Sequence, residues 1–539
     1  MFVPALMGHA SEEQQARWLP DALTMRIIGS YAQTELGHGT FIRGLETTAT
    51  YDEKTQEFVL ETPKLSSIKW WPGSLGKTAN HAVVMAKLWT KGECHGIHPF
   101  MVQLRDLDTH EPLPGINVGE IGPKMGMRSA DNGFLKLDMV RIPRENMLMK
   151  NAQVSVDGTY HKPASDKLNY GTMVFVRVLL LDMLAFNISR AVTIAIRYSA
   201  VRRQSEIIAG AGETQILDYQ AQRYKLFPLI SLCHVLRGMF AILMEMYKQA
   251  NTDLERGVLD TLPELHAVSS GLKALCSDMA AKGIEVCRLA CGGHGYLLVS
   301  GLPRLYATTV AACTYEGENT VLYLQTSRFL LKCLTKQHKL GNSSQLRFLL
   351  DPVAPSITRF NPDLYGLDGA SHLVQFHAAA AYRELRAVDA KLKRLQETEG
   401  LSAAQACIQY YLAKNYVQWV ARSQVSPELR HVLAQLAQLY LLQCVYEHSG
   451  RFLQAGLTSE DLTAVSSLMT RLLDDLRPNA VPLVDSFDLH DMVLSSALGS
   501  YDGQVYDRMY ECALQAPLNN KQVVDAYGKY LEPLFKNKF

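Results

Sequence analysis

Residues 314–320 read TYEGENT, with Glu316 and Glu318 on either side of Gly317 and an apolar helical pattern, ENTVLYLQTSRFLLKCL, behind them. Two uses suit that arrangement. Acidic residues at a helix N-terminus complement its dipole, and a glycine lets the chain turn. Alternatively, Glu316 projects into a cavity as a general base. A carboxylate can take a proton even from carbon if something already in place accepts the charge that is left behind. The second use therefore requires an electron sink elsewhere in the chain.

Several stretches are candidate parts of such a sink. YAQTELGHGT (31–40) reads as a strand end running into Thr34, then a tight loop with Gly37 and Gly39; it is either an ordinary turn or a close approach to a flat or phosphorylated ligand. IKWWPGSLGK (68–77) pairs Trp70 with Trp71 ahead of Pro72, Gly73 and Gly76. Adjacent side chains on a strand face opposite ways, so one indole can be core and the other a stacking surface. CGGHGY (291–296), with Gly292 and Gly293, either ends a helix or brings backbone close to a cofactor. Arg202 and Arg203 in YSAVRRQSE either complement a helix C-terminus or hold a pyrophosphate. His294 reads as a packed or capping histidine, because no second histidine or cysteine has metal-ligand spacing, so no metal is expected. None of the glycine runs is a G-x-G-x-x-G fingerprint between strand and helix, so a Rossmann site is not supported.

The elements that must position these residues fall into two textures. The chain has 539 residues, 47% of them hydrophobic, ample for large cores. Its 54 basic and 53 acidic residues balance, so charge points to neither nucleic acid nor an anionic membrane. Ten scattered cysteines, none in a C-x-x-C pair, read as reduced core thiols. Ser11 and Gln14 form a capping-box pattern for a short helix through Leu19, ended by Pro20. From about residue 29 to 160, short apolar or alternating runs separated by Gly, Pro, Asp and Asn read as a β domain. One hairpin is expected from TTATYD to EFVLET through EKTQ.

Residues 165–340 read as helical. Four long amphipathic stretches suggest a bundle, with Pro228 as a kink or boundary in the second. The most apolar window, 173–196, contains Arg177, Asp182 and Arg190 and reads as a buried helix, so no membrane span is expected. Residues 341–369, rich in Pro, Asp and Gly, read as a linker. A second helical region follows from 370 to 539.

Taken together, YAQTELGHGT, IKWWPGSLGKTANHA, DNGFLKLDMVRIPRENMLM, AIRYSAVRRQSE, LDYQAQRYKLFP, ACGGHGY, CTYEGENTVLYLQ and the late stretch DSFDLHDMVLSSALGSYDGQVYDRMYE resemble, in order, the peroxisomal acyl-CoA oxidases within the wider acyl-CoA dehydrogenase superfamily. The resemblance implies a multidomain α+β fold. Its parts are a truncated N-terminal helical remnant (1–28), a middle β-barrel (29–160), a four-helix bundle (165–340) and, after the linker, an extra C-terminal helical domain (370–539).

It also implies FAD, and oxidation of an acyl-CoA to its trans-2-enoyl-CoA with O2 as acceptor and hydrogen peroxide as product. Residue by residue, Glu316 matches the catalytic base. Thr34 and Gly73 match flavin contacts, and Trp71 a wall of the flavin pocket. Arg202 and Gln220 match positions that touch the FAD of a neighbouring subunit, and Gly292 and Gly293 lie where relatives meet its adenine end. A homodimer is thereby implied. In such enzymes the backbone N–H of the catalytic Glu and a ribityl hydroxyl stabilise the developing charge on the thioester carbonyl.

Two departures stand beside the match. The chain opens deep inside the family's N-terminal helical domain, whose helices cover part of the acyl pocket. The last residues, FKNKF, are not an S-K-L-type peroxisomal address. Peroxisomal residence thus follows from the resemblance, with a cytoplasmic location as the alternative. Two other functions remain open: a flavoprotein passing electrons to a protein acceptor, and a catalytically silent relative that binds acyl-CoA or pairs with active oxidases.

Overall fold

The computed structural model describes residues 1–162, 171–256, 258, 261–335, 340–341, 344, 346–350, 359–390 and 397–536. Part of the expected linker and the last three residues of the C-terminal tail lie outside them. The chain forms two compact units, Met1–Leu179 with Thr314–Val321, and Leu180–Cys313 with Leu322–Phe539. The Glu316 turn thus belongs to the first.

In the first unit, α1 (Phe2–His9) and α2 (Glu12–Leu23) pack on a β domain. The capping box forms as the sequence implies: Ser11 Oγ accepts from the Gln14 amide, and the Gln14 side chain accepts from the Ser11 amide at 2.9 Å. The helix does not stop at Pro20, as expected, but runs on to Leu23. A proline forfeits its own helix hydrogen bond, yet the Pro20 carbonyl still accepts from Thr24 N at 3.1 Å, so the turn closes behind it. Gln14 docks α2 by donating to the carbonyls of Glu145 and Met147 at 2.8 and 2.6 Å.

The strands are β1 (Gly29–Ala32), β2 (Thr48–Asp52), β3 (Glu57–Glu61), β4 (Lys69–Trp70), β5 (His81–Thr90), β6 (Glu93–Gln103), β7 (Ile116–Glu120), β8 (Gly133–Leu137), β9 (Val140–Pro143), β10 (Gln153–Val154) and β11 (Tyr160–His161). One sheet runs β1-β5-β2-β3-β9 with β6 also on β5, and a second runs β4-β8-β7. The β2–β3 hairpin pairs Asp52 with Glu57, leaving EKTQ as its loop, as the sequence implies. The inward residues of both sheets, among them Ala32, Phe58, Val84, Phe100, Leu135 and Leu137, share one core. Alternation along β1 sends Ala32 into that core and Tyr31 toward the helices. Gly29 is required because the Phe2 ring of α1 lies within 2.2 Å of where a Cβ would stand.

The second unit is helical. Its helices include α3 (Gly171–Val201), α4 (Gln220–Glu255), α5 (Leu262–Ala290), α6 (Leu302–Thr309), α7 (Asn319–Leu334), α8 (Gly366–Ala390), α9 (Glu397–Arg422), α10 (Pro427–Glu447), α11 (Ser449–Gln454) and α12 (Ser459–Leu476), the first residues of α3 and α7 belonging to the first unit. Pro228 sits inside an uninterrupted α4 and is not a boundary. Glycine lets the helices close up: a Cβ on Gly283 of α5 would lie 2.8 Å from Ile188 of α3 and 3.0 Å from Leu229 of α4. Thr326 of α7 donates to the Ala267 carbonyl of α5 at 3.1 Å. Among the described residues, two helices, Met173–Val201 and Gln220–Leu254, are long and apolar enough to cross a membrane, and most of each is buried in the protein. Arg197, also buried, is met by Asp485 and Asp491, as a charge in a helical interior requires.

Candidate active site

Two candidate flavin segments, far apart in sequence, are zipped together in the first unit. Trp70 N donates to Thr34 O at 2.9 Å, Leu36 N to Ile68 O at 2.8 Å, and Gly37 N to Ser66 O at 2.9 Å. Gly37 is needed for that approach, since a Cβ would stand 2.8 Å from the Ser66 Cβ, whereas Gly39 faces open space. Beyond the ladder the two indoles part. Trp70 stacks on Phe134 with ring centroids 6.1 Å apart, while Trp71 is 53% exposed and has a φ of 87°. That left-handed backbone is costly for a bulky residue. It is held by Trp71 N to Gly133 O at 3.0 Å, Asn132 Nδ2 to Trp71 O at 2.7 Å, and Gly133 N to Pro72 O at 2.9 Å. Ser30 of β1 donates to Gly73 O at 2.9 Å, and an added Cβ on Gly73 would meet nothing within 4 Å.

Glu316 occupies a second strained turn in the same unit. Its φ is 56° and that of Gly317 is 105°. Arg177 of α3, only 2% exposed, donates from Nε to the Glu316 carbonyl at 3.1 Å. Burial lowers the Arg177 pKa, and the Glu316 carboxylate opposes that shift. Burial raises Tyr31 on β1, and the same carboxylate raises it further. The Glu316 charge therefore lies near a buried guanidinium and near β1, whose Ser30 anchors Gly73. Glu318 behaves as a capping residue: its Oε2 accepts from Val321 N at 3.2 Å in the first turn of α7.

Sequence reasoning missed two charged residues beneath this corner. Glu35 and Lys69 form an ion pair at 3.0 Å with both side chains fully buried. Lys69 Nζ also donates to the carbonyls of Gln33 at 3.1 Å and Met85 at 2.7 Å. Glu35 accepts from Thr47 N and Oγ1 at 2.9 and 2.6 Å and from Glu46 N at 2.8 Å, with His38 Nδ1 at 3.1 Å. Burial pulls Lys69 down to about 8 against the opposing pull of Glu35. Burial pushes Glu35 up, but Lys69 and the donors from Thr47 and Glu46 outweigh it and leave the carboxyl below its usual value. The only available signal was the position of each: one residue after Thr34, and one before the paired tryptophans.

The remaining candidates lie in the second unit. Arg202 follows the end of α3, where it bonds Tyr506, and Gln220 at the start of α4 donates to Thr470 Oγ1 at 3.0 Å. Gln220 also lines a cavity of about 250 Å³ with Tyr224, Tyr446 and Met469. CGGHGY terminates α5. Gly292 turns the chain at φ 59°, Gly293 faces open space, and Gly295 packs so closely that a Cβ would lie 2.0 Å from the Arg288 carbonyl. His294 Nδ1 bonds the Tyr198 hydroxyl at 3.0 Å.

A planar cofactor with many hydrogen-bonding atoms suits the first-unit corner. Gly39 and Gly73 leave room beside the backbone, the Trp71 ring is open, and the Thr34 carbonyl is tied to Trp70 N. Those features match what FAD requires.

Comparison with known proteins establishes the family. Residues 1–28, 170–331 and 370–536 match the models for the acyl-coenzyme A oxidase N-terminal region, the acyl-CoA oxidase C-alpha1 domain and acyl-CoA oxidase. The chain is 48% identical to a peroxisomal acyl-coenzyme A oxidase 1 from Phascolarctos cinereus, across 99% of this chain and 84% of that one. The acyl-CoA oxidase 1 structure from Arabidopsis thaliana superposes with a TM-score of 0.96 at 41% identity, covering 100% of this chain and 84% of that one. Acyl-CoA oxidase-1 of Caenorhabditis elegans, complexed with FAD and ATP, does so with a TM-score of 0.94 at 37% identity, covering 100% and 82%. The chain belongs to the acyl-CoA oxidase family.

Proposed function

We propose that this chain uses FAD to oxidise a fatty acyl-CoA to the trans-2-enoyl-CoA, with O2 as acceptor and hydrogen peroxide as product. One observation carries the assignment: Glu316 sits in a strained turn pinned by buried Arg177, within the same unit as the Thr34–Trp71–Gly73 corner. When bound, FAD supplies the two-electron acceptor for the β-hydrogen, and O2 restores its oxidised form. Glu316 takes the α-proton as that hydrogen leaves. A thioester α-carbon is a weak acid, so both bonds must loosen together, and the Glu316 N–H serves as one donor to the thioester carbonyl. Arg177, whose positive charge the Glu316 carboxylate supports, holds the turn that presents that carboxylate. Thr34 and Gly73 hold the flavin edge, and Trp71 walls its ring system.

The oligomer is a homodimer in which Arg202, Gln220, Gly292 and Gly293 meet the FAD of the neighbouring subunit. The exposed Leu289, Tyr296 and Leu298 around CGGHGY support such a contact. Residence is peroxisomal, supported by the names of the curated relatives.

The test is direct. Purified chain is examined for a flavin spectrum, then mixed with acyl-CoA in air with a peroxide assay. Yellow protein that yields peroxide is the expected result. Bleaching without peroxide would mean a different electron acceptor, and colourless protein that binds acyl-CoA would mean a silent relative.

A further inference from the structure

The structure assigns Glu35 and Lys69 as the pair that positions the cofactor corner: buried beneath the Thr34–Gly37 and Ser66–Trp70 ladder, it sets where Thr34, Trp71 and Gly73 present themselves to FAD. The inference rests on the FAD reading above. The geometry is economical. All three Nζ protons are used, on Glu35, Gln33 O and Met85 O, so one cation ties the exit of β1, the start of β4 and the middle of β5. On the other side, Glu35 gathers the Thr47 and Glu46 amides that lead into β2. The antiparallel bridge between Glu35 and Lys69 lies one residue from Thr34 in one segment and two from Trp71 in the other.

A pair of opposite charges is a poor way to gain stability in a core, because desolvation offsets most of the attraction. What it does supply is direction. A fully satisfied polar network accepts one arrangement of its backbone partners, whereas apolar packing tolerates small slides. A corner that must keep Trp71 at φ 87° and leave open space beside Gly73 needs that kind of constraint.

The experiment compares Lys69→Met and Glu35→Gln with a control, Leu137→Ala, which disturbs the same β core without removing a charge. FAD affinity is measured by titrating apoprotein, the flavin environment by visible circular dichroism, and the fold by far-ultraviolet dichroism and Tm. The two pair variants should weaken FAD by about tenfold or more and change the flavin dichroism, while Leu137→Ala, at a comparable loss of Tm, should alter neither. Lys69→Arg, which keeps the charge but not the three-way geometry, should also change the dichroism. If Lys69→Met does not fold, the isosteric Glu35→Gln decides by the same readouts. Wild-type affinity and dichroism in folded pair variants would overturn the assignment, as would an equal loss in Leu137→Ala. A wild-type chain that binds no FAD would refute the cofactor reading itself, a result distinct from either.

Discussion

Two glycine-rich turns, WWPGSLGK in the first unit and CGGHGY in the second, look interchangeable as sequence. In the first, Trp71 and Pro72 are held from behind by Asn132 and Gly133, and Gly73 by Ser30, so the backbone is fixed while its outer face stays open. In the second, hydrogen bonds tie the end of α5 to the neighbouring helices α3 and α4. Tyr198 meets His294, Gln222 donates to the Ala290 carbonyl, and Gly295 fills against Arg288. The first is a presented surface; the second is first of all a helix terminus, with Gly292, Gly293 and Tyr296 facing outward. Glycine thus serves two unrelated ends, space for a ligand and space for the chain itself, and only the neighbours tell them apart.

Substitutions can sharpen that contrast. Gly295→Ala places a methyl group against a carbonyl that cannot move without shifting the end of α5, so it should cost about 3 kcal/mol or more in urea unfolding. Acid probes the base of the first corner. Burial pulls His81, which opens β5 opposite Gly29, down to about 4. Because this value is depressed, His81 stability is fully present above the unfolded value of about 6.5 and is lost as pH falls toward 4, a change of at most about 3 kcal/mol. His81→Gln should flatten unfolding free energy over that window. The smallest stability effects belong to the open glycines: Gly73→Ala and Gly293→Ala should each stay within about 0.5 kcal/mol of wild type in the apoprotein. Gly73→Ala should nonetheless weaken FAD, and Gly73→Val should weaken it more. Equal FAD titrations for all three proteins would erase the contrast.

Much of this was legible in the sequence where a local rule has a local cause. The Ser11–Gln14 box and the EKTQ hairpin loop follow from hydrogen bonds within a few residues. The split of Trp70 and Trp71 into a packed and an exposed ring is anticipated from strand alternation, but its cause is different: β4 ends at Trp70, and the left-handed backbone of Trp71 turns its ring outward. Legibility failed where tertiary structure overrides such rules. Pro20 read as a stop and Pro228 as a kink or boundary, yet each forfeits only its own helix bond and the helix continues through it. Glu35 and Lys69 drew no reading from the sequence, because the partners that bury them, such as Thr47 and Met85, are distant along the chain. Arg177 read only as a reason to exclude a membrane span, since nothing local ties α3 to a turn 139 residues away.

The measurement that bears most directly on the central claim is anaerobic reduction of bound flavin by acyl-CoA in Glu316→Gln. The account predicts that the variant keeps its FAD and its fold but bleaches slower than wild type by at least about 10²-fold, the usual range for a lost general base being about 10²–10⁴. Bleaching at the wild-type rate with flavin bound would show that Glu316 is a helix cap and that the proton leaves by another route.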